Sequence, residues 1–154
     1  MRMPGAVRIA FLALGVLTGC AGTGGGGGTP SPSQACKPPA GGATISYANN
    51  IQPIFTASCA LPACHIPPAP GGGLLLTAGQ SYGQLVGVKS TEEPKLFRVK
   101  KGAPDQSYLV QKIEGTPGIS GGIMPLGCPT SMPCLTPDQM QAIRQWITEC
   151  APNS

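Results

Sequence analysis

Apolar residues recur at helical spacing in four stretches of this chain, separated by long runs of glycine, proline and small polar residues. Ile51, Ile54 and Phe55 predict a helix over about 50–60, with Asn49 or Asn50 as its cap. Pro53 is tolerated there because it falls in the first turn. Tyr82, Leu85 and Val86 predict a short second helix over about 78–86, which Gly87 ends. A third runs over about 104–114, with Pro104 and Asp105 in its first turn, Leu109 and Ile113 on its buried side and Gly115 as its stop. The fourth has the clearest start: Thr136-Pro137-Asp138-Gln139 is a capping box with proline at the first helical position. Met140, Ile143, Trp146, Ile147 and Cys150 then share one face. Strand signals are weak and no repeat is evident. The pattern predicts an all-α domain over 36–154, small and helical, with long Gly/Pro-rich loops.

The first 35 residues carry a different pattern. Residues 1–20 read MRMPGAVRIAFLALGVLTGC: two arginines, a short apolar run from Ile9 to Leu17, then small residues. That is the layout of a secretory signal and is too short to span a membrane. Its ending, Leu17-Thr18-Gly19-Cys20, resembles the bacterial lipobox. The resemblance implies a signal peptide over 1–19, cleavage before Cys20 and a lipid on that thiol. The alternative is an ordinary signal peptide with an incidental cysteine. Residues 20–35 then form a lipidated cysteine and a flexible Gly/Ser/Pro tether, because AGTGGGGGTPSPS has nothing to bury. Lipid, tether and domain, in that order, predict a protein anchored on the extracytoplasmic face of a bacterial membrane, in the periplasm or at the outer membrane. Ala21 after the cysteine favours the outer membrane by the same family rule. Cysteines beyond Cys20 are therefore expected to be oxidised or covalently used.

Composition sharpens the domain reading. Twenty-three glycines and 18 prolines in 154 residues, with aromatics at 5%, leave a thin core. A domain of this kind needs help from disulfides, a metal or a cofactor, and seven cysteines point the same way. The formal charge of +4 falls to about +2 once Arg2 and Arg8 leave with the signal peptide. No basic stripe interleaved with aromatics exists, so nucleic acid is not a predicted partner.

One segment carries chemistry. Cys59 to His65 reads Cys-Ala-Leu-Pro-Ala-Cys-His. Covalent haem attachment usually reads Cys-x-x-Cys-His. Two thiols add to the two vinyl groups of haem, and the following histidine is held under the iron as its proximal ligand. Here the spacer is four residues, which a bulge can absorb and Pro62 can stiffen. Whether the longer spacer gives two thioethers or one stays open. His65 is the only histidine of the chain, and it follows a predicted amphipathic helix. The competing reading is a Cys59–Cys64 disulfide beside an incidental histidine.

From Ile51 to Ala151 the chain resembles a monohaem c-type cytochrome domain of a bacterial lipoprotein. The matching pieces are Ile-Gln-Pro-Ile-Phe before the attachment motif, Gly-Gly-Leu-x-Leu after it, Ser-Tyr-Leu-x-x-Lys-Ile, a Met-Pro-x-Gly segment and a terminal Ile-Arg-x-Trp-Ile helix. The resemblance covers about two thirds of the chain. It implies a cytochrome c-like fold wrapped round one haem c, with first and last helices crossing. The thioethers would form at Cys59 and Cys64, with His65 as proximal iron ligand. A second histidine ligand is excluded within this chain, so a methionine is expected opposite. Met140 lies on the apolar stripe of the last helix and reads as core. Met124, in a loop before that helix and followed by proline, is the distal ligand that the resemblance favours; Met132, also followed by proline, is the alternative. Lys89, Lys95, Arg98, Lys100 and Lys101 fall close together, either as a solvated loop or as a patch that docks an acidic partner. Arg98 is the candidate for a haem propionate.

Four cysteines remain, and four allow three pairings. Cys128–Cys134 would close a small loop after Met124. Cys36–Cys150 would tie the ends of the domain and stabilise it by about 4 kcal/mol in the chain-entropy model. A metal site built from Cys64, His65, Cys128 and Cys134 is the competing use. The function expected is one-electron transfer to redox partner proteins of the envelope, without catalysis. The alternatives are a haem enzyme or sensor with an open axial site, and a haem-free, disulfide-stabilised envelope lipoprotein.

Overall fold

A computed structural model describes residues 36–154. The expected signal peptide 1–19, the lipidation site Cys20 and the tether 20–35 lie outside the described residues. Four α-helices are present in them: α1 (Gln52–Ser58), α2 (Ser81–Leu85), α3 (Tyr108–Glu114) and α4 (Pro137–Thr148). Extended pairing is limited, among the described residues, to isolated bridges such as Val86 with Val99 and Phe97 with Ser107. The domain is helix-rich, with long loops between short helices. No helix among these residues is long and apolar enough to cross a membrane.

The helix starts differ from the sequence expectation for local reasons. A π-helical turn, Tyr47–Ile51, precedes α1. Its cap is Ser46, whose Oγ accepts from the Asn49 N–H, while Asn50 turns back to accept from the Ser46 N–H. The wider π turn gives way to α-helix at Gln52, and Pro53 follows at once. A residue without an N–H costs least at such a change of register. The third helix starts late. Pro104–Gln106 forms a separate 3₁₀ turn, and buried Ser107 interrupts the helix in extended conformation. Its Oγ accepts from the Lys100 N–H at 2.9 Å and donates to Ala103 O at 2.9 Å. Such local side-chain bonds compete with helix backbone bonds. Gly115 ends α3 at φ 66°, where a side chain would be strained.

Helix α4 begins as its sequence dictates. Thr136 Oγ1 accepts from the Gln139 N–H, and Gln139 Oε1 accepts from the Thr136 N–H at 2.8 Å. It ends in a Schellman arrangement: the Cys150 N–H donates to Ile147 O and the Ala151 N–H to Trp146 O. Cys150 therefore sits just past the helix, at φ 73°. Trp146 lies at the centre of the core, 5.1 Å from the Tyr47 ring, so the first and last helical segments pack together. Arg144 clamps α4 to α3 with two bonds to Glu114 and one to Asp105.

Two disulfides are present, Cys36–Cys150 and Cys128–Cys134, with Cα separations of 5.5 and 5.0 Å. These are the two pairings expected from the sequence. Cys59 and Cys64 are the unpaired cysteines of the described residues. Beside the first bridge, the buried Glu149 carboxylate accepts from the Thr44 hydroxyl at 2.6 Å and from the Thr44 and Ile45 N–H groups at 2.8 and 3.0 Å. The segment before α1 is thus sewn to the end of α4 by covalent and polar links together.

Candidate cofactor site

Helix α1 ends where the chemistry begins. Cys59 caps it, its N–H donating to Phe55 O at 2.9 Å, and its side chain turns into the interior. The spacer then closes on itself: the Cys64 N–H donates to Leu61 O at 3.0 Å, with Ala63 in left-handed conformation, and the His65 N–H returns to Cys59 O at 3.2 Å. Four intervening residues thus fold into a compact loop that brings His65 back to Cys59. Burial, with the neighbouring Cys64 adding to it, pushes the Cys59 thiol up to about 12.

The next segment fixes the histidine. The Leu76 N–H donates to His65 O at 2.9 Å, and His65 Nδ1 lies 3.0 Å from Leu74 O. A carbonyl oxygen only accepts, so Nδ1 carries the proton in this contact. In the neutral ring Nε2 then keeps its lone pair, the form in which imidazole binds a metal.

His65 lines two adjoining cavities, which share Cys59, Gly71, Gly72, Glu92 and Met124. The inner one has about 600 Å³ of space, counting its mouth, with apolar walls from Leu74, Leu76, Leu109 and Ile113. The outer one, with about 720 Å³ including its open mouth, is walled by Ala63, Cys64, Pro125, Leu126 and Met132. Met124 lines both cavities and is fixed through its N–H, which donates to Lys112 O at 2.8 Å. Met132 lines the outer one alone. The fold therefore gathers Cys59, Cys64, His65, Met124 and Met132 from three stretches of chain round the outer cavity, and these residues could hold a cofactor there.

Arg98 lies apart from the exposed lysines near it. It is buried and lines the inner cavity, donating to Gln84 O at 3.0 Å and Gly72 O at 3.3 Å. Burial lowers its pKa, and Glu92 opposes that shift. Lys89 faces outward, with Nζ 4.1 Å from the centre of the Phe97 ring, and Lys95 and Lys101 are exposed. The five cations are thus divided between a cavity wall and the surface.

Three cavity residues were missed from the sequence. Lys112 is 7% exposed, its Nζ 3.2 Å from Glu92 Oε2 and donating to Ser120 O at 2.8 Å. The Tyr108 hydroxyl donates to the same Glu92 oxygen at 3.0 Å. Lys112 had a readable signal: it stands three residues after Leu109 and one before Ile113, on the apolar face of α3. Glu92, in a loop, had none.

No group of three or more His, Cys, Asp or Glu side chains able to hold a metal ion is formed among the described residues. Cys128 and Cys134 bond to each other instead. Comparison with family models, with curated proteins and with solved structures gave no match.

Proposed function

We propose that this chain is a membrane-anchored, extracytoplasmic one-electron carrier with a single covalently bound haem c. The observation that carries the reading is one cavity lined by an unpaired buried cysteine, the lone histidine and a methionine, beside a second unpaired cysteine. The donor set fits the group. Cys59 and Cys64 supply thiols for thioethers, and His65 supplies an Nε2 lone pair because its Nδ1–H is used at Leu74 O. Met124 would supply a thioether sulfur as the second iron ligand, and Met132 is its rival in the same outer cavity. The walls are largely apolar, as a porphyrin would need, and Arg98 and Lys112 in them could pair with its propionates.

Haem supplies the reversible one-electron iron couple. The protein's own residues orient it, exclude water and fix its charge environment. With His65 and Met124 both holding the iron there would be no open position for a substrate, and the role would be electron transfer. A thioether ligand favours ferrous iron, so a moderately positive potential is expected. Lipid at Cys20 would hold the carrier on the membrane, and the tether would let the domain reach redox partners of the envelope.

The test is an absorption spectrum of the protein exported in the presence of haem-attachment machinery. It is recorded oxidised and dithionite-reduced, then after acid–acetone extraction and conversion to the pyridine haemochrome. Haem retained through extraction supports covalent attachment. A sulfur-to-iron band at the red edge of the oxidised spectrum, lost in Met124→Ala and kept in Met132→Ala, supports Met124. A colourless protein would sink the proposal and leave a haem-free envelope lipoprotein.

A further inference from the structure

Three polar side chains are buried in the apolar core, where the site described above makes no use of them. Tyr47, Gln52 and Ser81 are 5%, 9% and 0% exposed. They form one hydrogen-bonded chain. The Tyr47 hydroxyl donates to Ser81 Oγ at 2.6 Å, Ser81 Oγ donates to Gln52 Oε1, and Gln52 Nε2 donates to Leu76 O at 3.0 Å. Tyr47 donates, Ser81 relays and the Gln52 amide accepts, then donates both to Leu76 O and to Thr56 Oγ1 at 3.2 Å one turn on, so the chain runs from Tyr47 toward Leu76. A buried chain of this kind adds little net stability over apolar residues of the same shape, but it fixes position because each broken bond leaves an unpaired polar group.

The position it fixes is that of the segment holding His65. Leu74 O takes the His65 Nδ1–H, and the Leu76 N–H binds His65 O. Besides His65 itself, Gln52 is the one side chain among the described residues that hydrogen-bonds residues 74–76. We propose that Gln52, backed by Ser81 and Tyr47, is a positioning residue for His65: it anchors the 74–76 strap and so sets the strength of the Nδ1–H bond. A strong bond at Nδ1 makes Nε2 a better donor. A better donor stabilises ferric iron, so losing the anchor raises the potential. The inference rests on the haem reading above.

The test uses the exported, haem-loaded, full-length protein as wild type, Gln52→Met and Gln52→Glu, with Ile147→Val as a core control. Two quantities are read: the reduction potential, and the solvent exchange rate of the His65 ring N–H in the reduced protein by NMR. Gln52→Met should raise the potential and speed exchange at least tenfold, while Ile147→Val, which merely loosens the core, should change neither. Haem-loaded Gln52→Met with wild-type potential and exchange would overturn the proposal. If that variant does not accumulate, Gln52→Glu carries the test. Its neutral carboxyl can still accept from Ser81 and donate to Leu76 O, and ionisation removes the donor. The new negative charge by itself lowers the potential, so this variant is read by exchange alone: the His65 ring N–H should exchange progressively faster than in wild type as the carboxyl ionises; exchange that follows the wild-type pH profile would overturn the proposal. Wild-type protein that yields no pyridine haemochrome defeats the haem reading first, and this inference with it.

Discussion

Replacing Cys36 with Ser and Cys150 with Ala removes the bridge between the ends of the domain. The bridge closes a loop with a sequence separation of 114 residues. In the chain-entropy model a loop of that length restricts the unfolded chain by about 4.8 kcal/mol. The variant should lose about that much in equilibrium urea unfolding of the haem-loaded protein, with a steeper denaturant dependence because its unfolded state is more open. A second variant separates the bridge from the backbone beneath it. Cys150 occupies the left-handed position after α4, at φ 73°, where glycine carries no penalty. Cys36→Ser with Cys150→Gly should therefore regain about 1 kcal/mol over the alanine version. Breaking Cys128–Cys134, with a sequence separation of 6, should cost only about 2.4 kcal/mol in the same model. A loss below about 2 kcal/mol for the long bridge would refute the reasoning: the Thr44 and Ile45 bonds to Glu149 would then already hold the ends together.

The other predictions concern single groups. Burial alone would raise the Glu149 carboxyl, but donors from Thr44, Ile45 and Gln145 outweigh it and bring it down to about 2. Its contribution is therefore complete above the ordinary carboxylate value of 4.5 and disappears as the pH falls toward 2, so stability should drop more steeply in that window for wild type than for Glu149→Gln. In haem-free protein, iodoacetamide at pH 8 should label half-exposed Cys64 well before buried Cys59, whose thiol stands at about 12; equal labelling rates would contradict the described burial. Arg98→Gln should lower the reduction potential, because removing a buried cation from the cavity wall makes the oxidised charge easier to bear; an unchanged potential would remove Arg98 from the cofactor's surroundings.

Helix α4 was legible nearly to the residue because all its signals are local: a capping box, a proline at the first position and an apolar stripe. With Cys59 and Cys64 set aside, three pairings stayed open, and the short 128–134 loop and the places of Cys36 and Cys150 at the two ends of the domain pointed to the pairing that forms. The first three helices were legible in place but not in extent. Ser46 displaced the expected asparagine cap, and Ser107 cut the third helix through bonds to Ala103 and Lys100 that no periodicity reports. Around the cavity, Cys59, Cys64 and His65 stand out in the sequence as a close group, although their four-residue spacer departs from the usual Cys-x-x-Cys-His. The partners that fix His65 do not: Leu74 O is a backbone atom, and Gln52 reaches Leu76 across 24 residues. Non-local hydrogen bonds to backbone leave no pattern in a single sequence.

The charges in the cavity wall supply an argument independent of the cysteines. Arg98 and Lys112 are each under a tenth exposed, and Glu92 is the one acid that shares the wall with them. Glu92 is itself about a third exposed, so it offsets the cost of burying two cations only in part. Lys112 spends bonds on Glu92 and Ser120 O, and Arg98 spends its own on the carbonyls of Gln84 and Gly72. Arg98 has five N–H donors and does not use them all. A cavity with largely apolar walls and two cations among its lining favours an apolar ligand that bears carboxylates. Haem meets that requirement with its porphyrin plane and two propionates. An uncharged ligand of the same size would leave the excess positive charge buried. Adding a second acid to the wall, as in Leu109→Glu three residues before Lys112 on α3, should therefore lower the yield of attached haem; an unchanged yield would refute this reading of the wall.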